Sequence, residues 1–310
     1  MKNKKTLDTL VQDIYDKLDT LTEGKSLGVS EETATTFGES MKQALLNWSG
    51  EHPVDKPTLR MSNIGKPNRQ LWYDMKTKLK TRSFSAPVQI KFLYGHILEE
   101  VVLFLARLAE HDVTSEQKEV VVNGIKGHMD CKIDGEVVDI KTASGFAFKK
   151  FKEGTLADDD PFGYMAQITA YEETEGTNKG GFLVLNKENG ELTLFRPEEL
   201  DKPNIQDRIK TLKKQIKKDS PPTEFCYPTV PEGVSGNMKI ARGCVYCRHK
   251  FECHKDSNVG MGLRVFKYAK KFEYYIMNKS MSRMGMNDIN TGIDTKASLF
   301  TLVQDDTINS

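Results

Sequence analysis

The chain has 310 residues, 38% of them apolar and 29% charged, and its 45 Lys and Arg stand against 44 Asp and Glu for a formal charge of +1. That length suffices for one large domain or two modest ones, with a buried core. The charge balance excludes a uniformly basic nucleic-acid coat while leaving room for local patches. No run approaches the roughly 18–20 apolar residues that a membrane helix needs.

The N-terminal stretch is basic but has no continuous apolar segment, so it does not read as a secretory signal. Leu7, Leu10, Val11, Ile14, Tyr15, Leu18 and Leu21 fall at helical spacing and predict one amphipathic helix. Ser30, followed by Glu31 and Glu32, marks a second helix start, and Phe37, Met41, Leu45 and Trp48 continue its apolar face. Residues 50–58 contain two prolines and a glycine and read as a linker. A long helix is expected over about 88–110. After it, Asn123-Gly124 and Asp134-Gly135 divide a β-branched stretch into a three-strand meander at about 117–123, 125–133 and 136–142. A helix at 161–175, a hairpin turning at Asn189-Gly190, a basic helix at 204–219 and a strand-like segment at 262–277 follow, and the last 25 or so residues read as a loose polar tail.

The chemistry-bearing pattern lies in the meander. Asp130 is expected near the middle of one strand, and Asp139 and Lys141 sit two apart on the next. Alternation along a strand aims the latter two side chains at one face, and a tight hairpin sets the strands side by side. Two carboxylates and an ammonium then meet on one surface. Carboxylates are hard oxygen ligands for Mg²⁺ or Mn²⁺, which polarise a phosphoryl oxygen and make water more nucleophilic. A lysine alongside orients that water or offsets charge on the phosphate. Val137, Val138 and Ile140 surround Asp139 with apolar residues, an unusual setting for a charge.

The segment Gly127–Thr142 resembles the core motif of PD-(D/E)XK nucleases, nearest to the RecB-like exonuclease branch. Tyr94-Gly95-His96-Ile97-Leu98-Glu99 resembles that branch's helical motif, and Gln167 with Tyr171 resembles its QxxxY motif, one helical turn apart. The likeness spans roughly residues 60–258. It implies an α/β fold with a restriction-endonuclease-like core: a central mixed β-sheet flanked by helices, with a helical N-terminal extension. Residues 1–55 would form the extension, 56–258 the core with its cysteine cluster, and 259–310 a C-terminal strand segment and tail. It further implies that Glu99, Asp130, Asp139 and the carbonyl of Ile140 hold the metal, that Lys141 is the catalytic lysine, and that Gln167 and Tyr171 support the site and touch DNA.

Four of the five cysteines lie between 226 and 253, a local cluster that suggests a metal rather than a disulfide scaffold. Cys244, Cys247 and Cys253 form a compact ligand run. In the resembled branch such a triplet joins an N-terminal cysteine to hold a [4Fe–4S] cluster. That position is Gly65 here, which leaves Cys226 as fourth thiolate or, for Zn²⁺, His249 or His254. Cys131 is expected to face the core.

Lys66, Arg69, Lys76, Lys78, Lys80 and Arg82 surround Trp72 and Tyr73, a candidate strand-binding surface in which Lys66, Arg69, Trp72 and Tyr73 contact DNA; a core position is the simpler reading of Trp72. The lysines of 204–219 are explained as well by a solvated helix face. The leading expectation is a metal-dependent exonuclease acting on DNA ends or single strands in recombination, repair or degradation. It implies a cytoplasmic setting in a bacterium or phage-infected cell, no membrane, and a recombination or single-strand-binding partner protein. A catalytically silent DNA-binding scaffold and a structure-specific endonuclease are the alternatives.

Overall fold

The structure is a computed structural model and describes residues 5–50, 57–77, 85–268, 272–277 and, for the backbone, 287–288. In chain order a 3₁₀ turn at Leu7–Thr9 leads into α1 (Leu10–Asp19), followed by α2 (Glu31–Ser49), α3 (Asn68–Lys76) and α4 (Ala86–Leu108). Then come β1 (Val113–Thr114), β2 (Lys118–Val122), β3 (Ile125–Met129), β4 (Cys131–Ile133), β5 (Glu136–Ala143), α5 (Gly145–Lys152) and α6 (Tyr164–Glu175). They are followed by β6 (Gly181–Asn186), β7 (Leu192–Phe195), α7 (Ile205–Ile216), β8 (Val230–Pro231) and β9 (Met238–Lys239). Two short turns, α8 (Arg242–Val245) and α9 (Lys250–Cys253), precede β10 (Arg264–Lys267), β11 (Phe272–Met277) and β12 (Asn287–Asp288). The chain divides into two compact units: residues 1–66 with 90–214, and residues 67–89 with 215–310.

The first unit is an α/β structure on a mixed five-stranded sheet of order β1-β4-β5-β6-β7. Only β5 and β6 are parallel, with Asp139 opposite Phe182 and Lys141 opposite Val184; the other neighbours are antiparallel. Every residue of β6 is buried, as a parallel strand covered by helices on both faces requires. One face packs on Leu7, Leu10 and Ile14 of the N-terminal segment and on Val102, Leu103 and Ala106 of α4, against Cys131, Val138, Ile140 and Leu183. The N-terminal segment is therefore part of this core. Tyr15 reaches the edge strand, accepting from the Leu192 amide at 2.6 Å. His111, buried, lies 2.6 Å from Asp134 and 3.1 Å from Asp13 of α1. The Ser30 hydroxyl accepts from the Thr33 amide at 3.1 Å, so α2 starts where the capping residue predicts.

The expected three-strand meander is divided. Both residues of Asn123-Gly124 and of Asp134-Gly135 have positive φ, as two-residue hairpin loops demand, but Asp130 does not lie mid-strand. It is the break between β3 and β4. That break sends β3 into a separate ribbon with β2 and leaves only β4 in the central sheet.

In the second unit β12, β10, β11, β9 and β8 form an antiparallel sheet around Ile240, Leu263, Val265 and Tyr274. The segment expected as one strand at 262–277 is a hairpin, with Val265 opposite Tyr274. Of the expected polar tail, Asn287–Asp288 pairs with β10, and residues 289–310 lie outside the described residues, as do 51–56 of the linker and Lys78, Lys80 and Arg82. Among the described residues no helix is long and apolar enough to cross a membrane.

Candidate active site

Alternation along β5 turns Val138 and Ile140 into the α1–α4 core, which leaves Asp139 and Lys141 on the opposite face. There Lys141 forms an ion pair with Asp139. Asp139 is fully buried, and its Oδ1 accepts from Gln167 Nε2 of α6 at 3.1 Å. Its Oδ2 touches the Lys141 ammonium outside hydrogen-bonding geometry and is left without a hydrogen-bond donor. Asp130 joins the pair because of the strand break. The ladder between β4 and β5 ends at Cys131 and Val138, and the Asp130 carboxylate takes over as the next partner, accepting from the Ile140 amide at 2.8 Å. Ile140 itself is buried in the β5–β6 ladder.

Gln167 and Tyr171, one turn apart on α6, form a second layer. Gln167 Nε2 is 3.2 Å from the Tyr171 hydroxyl, which donates to the His128 carbonyl at 2.8 Å. The pair thus ties Asp139 to the end of β3, two residues before Asp130, and fixes the spacing of the two carboxylates. Both side chains are buried, so they position the site rather than present a surface. The start of α6 is held by Asp160, which accepts from the Gly163, Tyr164 and Met165 amides at 2.9 Å each. Gly163 packs backbone to backbone on Gly65: a Cβ on Gly65 would lie 2.4 Å from the Gly163 Cα. The loop carrying Gly65 is clamped by Arg208 of α7, whose Nε donates to the Ile64 carbonyl at 2.8 Å and whose terminal nitrogen donates to the Lys66 carbonyl.

The electrostatics show which groups face one another. Burial, then Asp139, pushes the Asp130 carboxyl well above its ordinary range; Lys141 opposes this and Glu99 adds to it. Burial raises Asp139 as well, against Lys141. Burial alone would lower the Lys141 ammonium, but Asp139 and Asp130 reverse the sign and hold it charged. Glu99 of α4 is pushed up to about 7 by burial and by Glu100, with Lys141 opposing and Asp139 adding. Its Oε1 accepts from Gln117 at 2.9 Å. Glu100 senses Glu116 and Arg107 instead. Asp139, Lys141, Gln167 and Tyr171 are in direct contact and Asp130 reaches the Ile140 amide, whereas Glu99 hydrogen-bonds Gln117 and is linked to the others through its electrostatic influence. His96 and His128 are exposed. In this arrangement, among the described residues, no three His, Cys, Asp or Glu side chains stand close enough together to hold a metal ion. The Asp139 Oδ2 is already paired with Lys141, so the feature that suits a hard cation is the surplus of carboxylates over ammonium groups.

Cys226, Cys244, Cys247 and Cys253 line one cavity in the second unit, together with Tyr73, His249 and His254. Burial, then the other three thiols, pushes Cys244 to about 12; burial, offset by a backbone hydrogen bond from Gln70, leaves Cys226 at about 11. His249 Nε2 is engaged by Asp74 at 2.8 Å. His254, 6% exposed, has no hydrogen-bond partner for Nε2. Cys131 is buried in the first unit's core, as expected.

The residues expected to contact DNA are engaged elsewhere. Trp72 and Tyr73 are buried; the indole donates to the Lys218 carbonyl at 3.0 Å, and Tyr73 stacks on His249. Arg69 donates from Nε to Cys253 Sγ at 3.1 Å and spreads over the Phe225 ring. Tyr73 lines the cysteine-lined cavity, Arg69 contacts two of its lining residues, Cys253 and Phe225, and Trp72 is tied to Lys218. Lys66 keeps a half-buried side chain, while its carbonyl is held by Arg208. Tyr164, which sequence reading passed over, places its ring centroid 5.1 Å from Lys141 Nζ. Its only sequence signal is its position one turn before Gln167.

No protein-family model matches the chain, and no curated protein matches it. Among solved structures it is similar to the crystal structure of SSO0001, at 15% identity and a TM-score of 0.34, with 62% of this chain and 89% of that one covered.

Proposed function

We propose that the first unit is a metal-dependent nuclease of restriction-endonuclease-like fold that hydrolyses phosphodiester bonds at DNA ends or in single strands. The observation that carries this reading is the convergence of Glu99, Asp130, Asp139 and Lys141, with Gln167 tethering Asp139. Glu99, Asp130 and Asp139 would hold Mg²⁺ or Mn²⁺, with the Ile140 carbonyl alongside. Such an ion supplies polarisation of the phosphoryl oxygen and a more nucleophilic water. Lys141, held charged by its two carboxylate neighbours, offsets negative charge building on the phosphoryl group. Gln167 and Tyr171 keep Asp139 and the Asp130 strand end at constant separation. The test is release of labelled nucleotides from linear DNA in Mg²⁺ or Mn²⁺, compared with a covalently closed circle. Cutting of the circle would remove the requirement for an end, and no product with either metal would favour a silent DNA-binding scaffold.

The same geometry sets a pH dependence. The Glu99 carboxyl has an ordinary value of 4.5 and is raised to about 7 in the fold. A raised acid is a stabilising feature below 4.5 that is lost as pH climbs through about 7, because the folded state then gives up its extra proton. The metal-free protein should therefore lose stability over that interval. Ligation needs the ionised form, so the rise in melting temperature produced by Mn²⁺ should be larger at about pH 8 than at about pH 5.5. A Mn²⁺ shift independent of pH would remove Glu99 from the ligand set.

The four cysteines line one cavity without bringing three thiols together around a point, and on closing around an ion they would supply a structural metal centre confined to the second unit. Gly65 cannot become the N-terminal cysteine without displacing the Gly163 backbone, and Cys226 already lines the cavity with the triplet. The thiolate set suits a [4Fe–4S] cluster or Zn²⁺, and for zinc the unpartnered His254 is a further donor, unlike the engaged His249.

A further inference from the structure

Two large aromatic rings stand exposed in the first unit, on segments that follow or flank those carrying the carboxylate–lysine cluster. Phe162 is 57% exposed and Phe146 63% exposed. Phe162 stacks on Tyr164, with centroids 5.4 Å apart and planes 23° apart, and the Tyr164 ring is in turn the one beside Lys141 Nζ. Phe162 is thus one ring removed from the lysine assigned to the phosphate. Phe146 opens α5, directly after the strand that carries Asp139 and Lys141. The Lys150 ammonium lies 5.5 Å from the Phe146 centroid and donates to the Asp159 carbonyl at 2.9 Å, so Phe146 is tied to the loop that presents Phe162. Asp160 holds that loop through three amide hydrogen bonds. The exposed Lys149 shares the helix face of Phe146, three residues on.

Exposed rings with ammonium groups near them match a polymer of flat bases on an anionic backbone, although each of these ammonium groups is also paired with a carboxylate: Lys141 with Asp139, Lys149 with Glu153 and Lys150 with Asp159. A duplex keeps its base faces covered, so open aromatic faces act on unpaired nucleotides. We infer that Phe162 and Phe146 form a stacking rim for unpaired bases of the strand whose phosphate reaches Lys141, making single-stranded DNA the preferred form at this site. The inference rests on the nuclease reading for the position of the phosphate, but base stacking is measured without cleavage.

The experiment uses the full chain with Ca²⁺ in place of Mg²⁺ and reads fluorescence anisotropy on labelled oligothymidylate and on an abasic oligodeoxynucleotide of equal length. The wild type should bind oligothymidylate more tightly. Phe162→Leu and Phe146→Leu, which keep an apolar side chain at an exposed position, should each weaken that binding about 5- to 100-fold while leaving abasic binding unchanged; Phe162→Tyr should restore it. Equal affinity for the two probes in the wild type, or equal losses on both in the variants, would overturn the inference. If the base preference holds and no metal gives cleavage, the stacking rim stands and the nuclease reading falls. If cleavage occurs and the Leu variants bind oligothymidylate like the wild type, the rim falls and the nuclease reading stands.

Discussion

Replacing Lys141 with Ala is expected to lower Mg²⁺-dependent DNA cleavage about 10²- to 10⁴-fold while leaving the protein folded and able to bind oligonucleotide. The side chain is mostly buried against Asp139. Its loss leaves Asp139, Asp130 and Glu99 with no nearby ammonium, which the raised Asp130 and Glu99 carboxyls accommodate by staying protonated longer. Lys141→Arg separates two roles. The neighbours that raise the ammonium favour its charged form, so a role in charge stabilisation predicts that Arg retains more activity than Ala. A role as proton acceptor predicts that the two fail alike, since a guanidinium does not give up its proton. Single-turnover rates at saturating DNA decide between them, and unchanged cleavage in Lys141→Ala would end the catalytic assignment.

With the four thiols holding a metal as proposed, Cys244→Ser is expected to strip it from the second unit and to lower the melting temperature by roughly 8–16 °C, taking a loss of about 4 kcal/mol at about 2–4 °C per kcal/mol. All four thiols are buried or half-buried around one cavity, and those of Cys226 and Cys244 are pushed up to about 11 and about 12. Metal loading must therefore release protons and weaken as pH falls. Metal analysis of the purified wild type should find iron with a broad visible absorption band, or zinc without one. A wild type with no stoichiometric metal, or a Cys244→Ser protein with unchanged melting temperature, would show the four thiols to be packing residues. Arg69 is coupled to this site through Cys253 Sγ, so Arg69→Ala should lower the same melting temperature, whereas a DNA contact at Arg69 would change affinity alone.

Much of the architecture is legible locally. The two-residue turns at Asn123-Gly124 and Asp134-Gly135 act through backbone conformations that few residues adopt, and Ser30 caps its helix through one hydroxyl. The spacing of Asp139 and Lys141 places both on one face of β5 because side chains alternate along any strand. The break at Asp130 is not legible, since no Asn-Gly or Asp-Gly turn separates β3 from β4. What divides them is that each pairs with its own hairpin partner, β3 with β2 and β4 with β5, and only the latter pair joins the central sheet. The burial of Tyr73 was equally hidden, whereas a core position was already the simpler reading of Trp72. An aromatic among lysines looks the same in sequence whether it stacks on a base or on His249.

By itself the sequence singled out the side chains proposed to carry chemistry: two acids and an amine at strand spacing, a Gln and a Tyr one helical turn apart, and four thiols in one short stretch, because these are properties of residue type and of short-range geometry. Tertiary structure alone decided which groups meet. It engaged His249 and left His254 Nε2 without a hydrogen bond, closed position 65 to any residue but glycine, and set Tyr164 between Lys141 and the exposed Phe162. Each of these depends on how the chain packs between residues distant in sequence, and local periodicity carries no information about that.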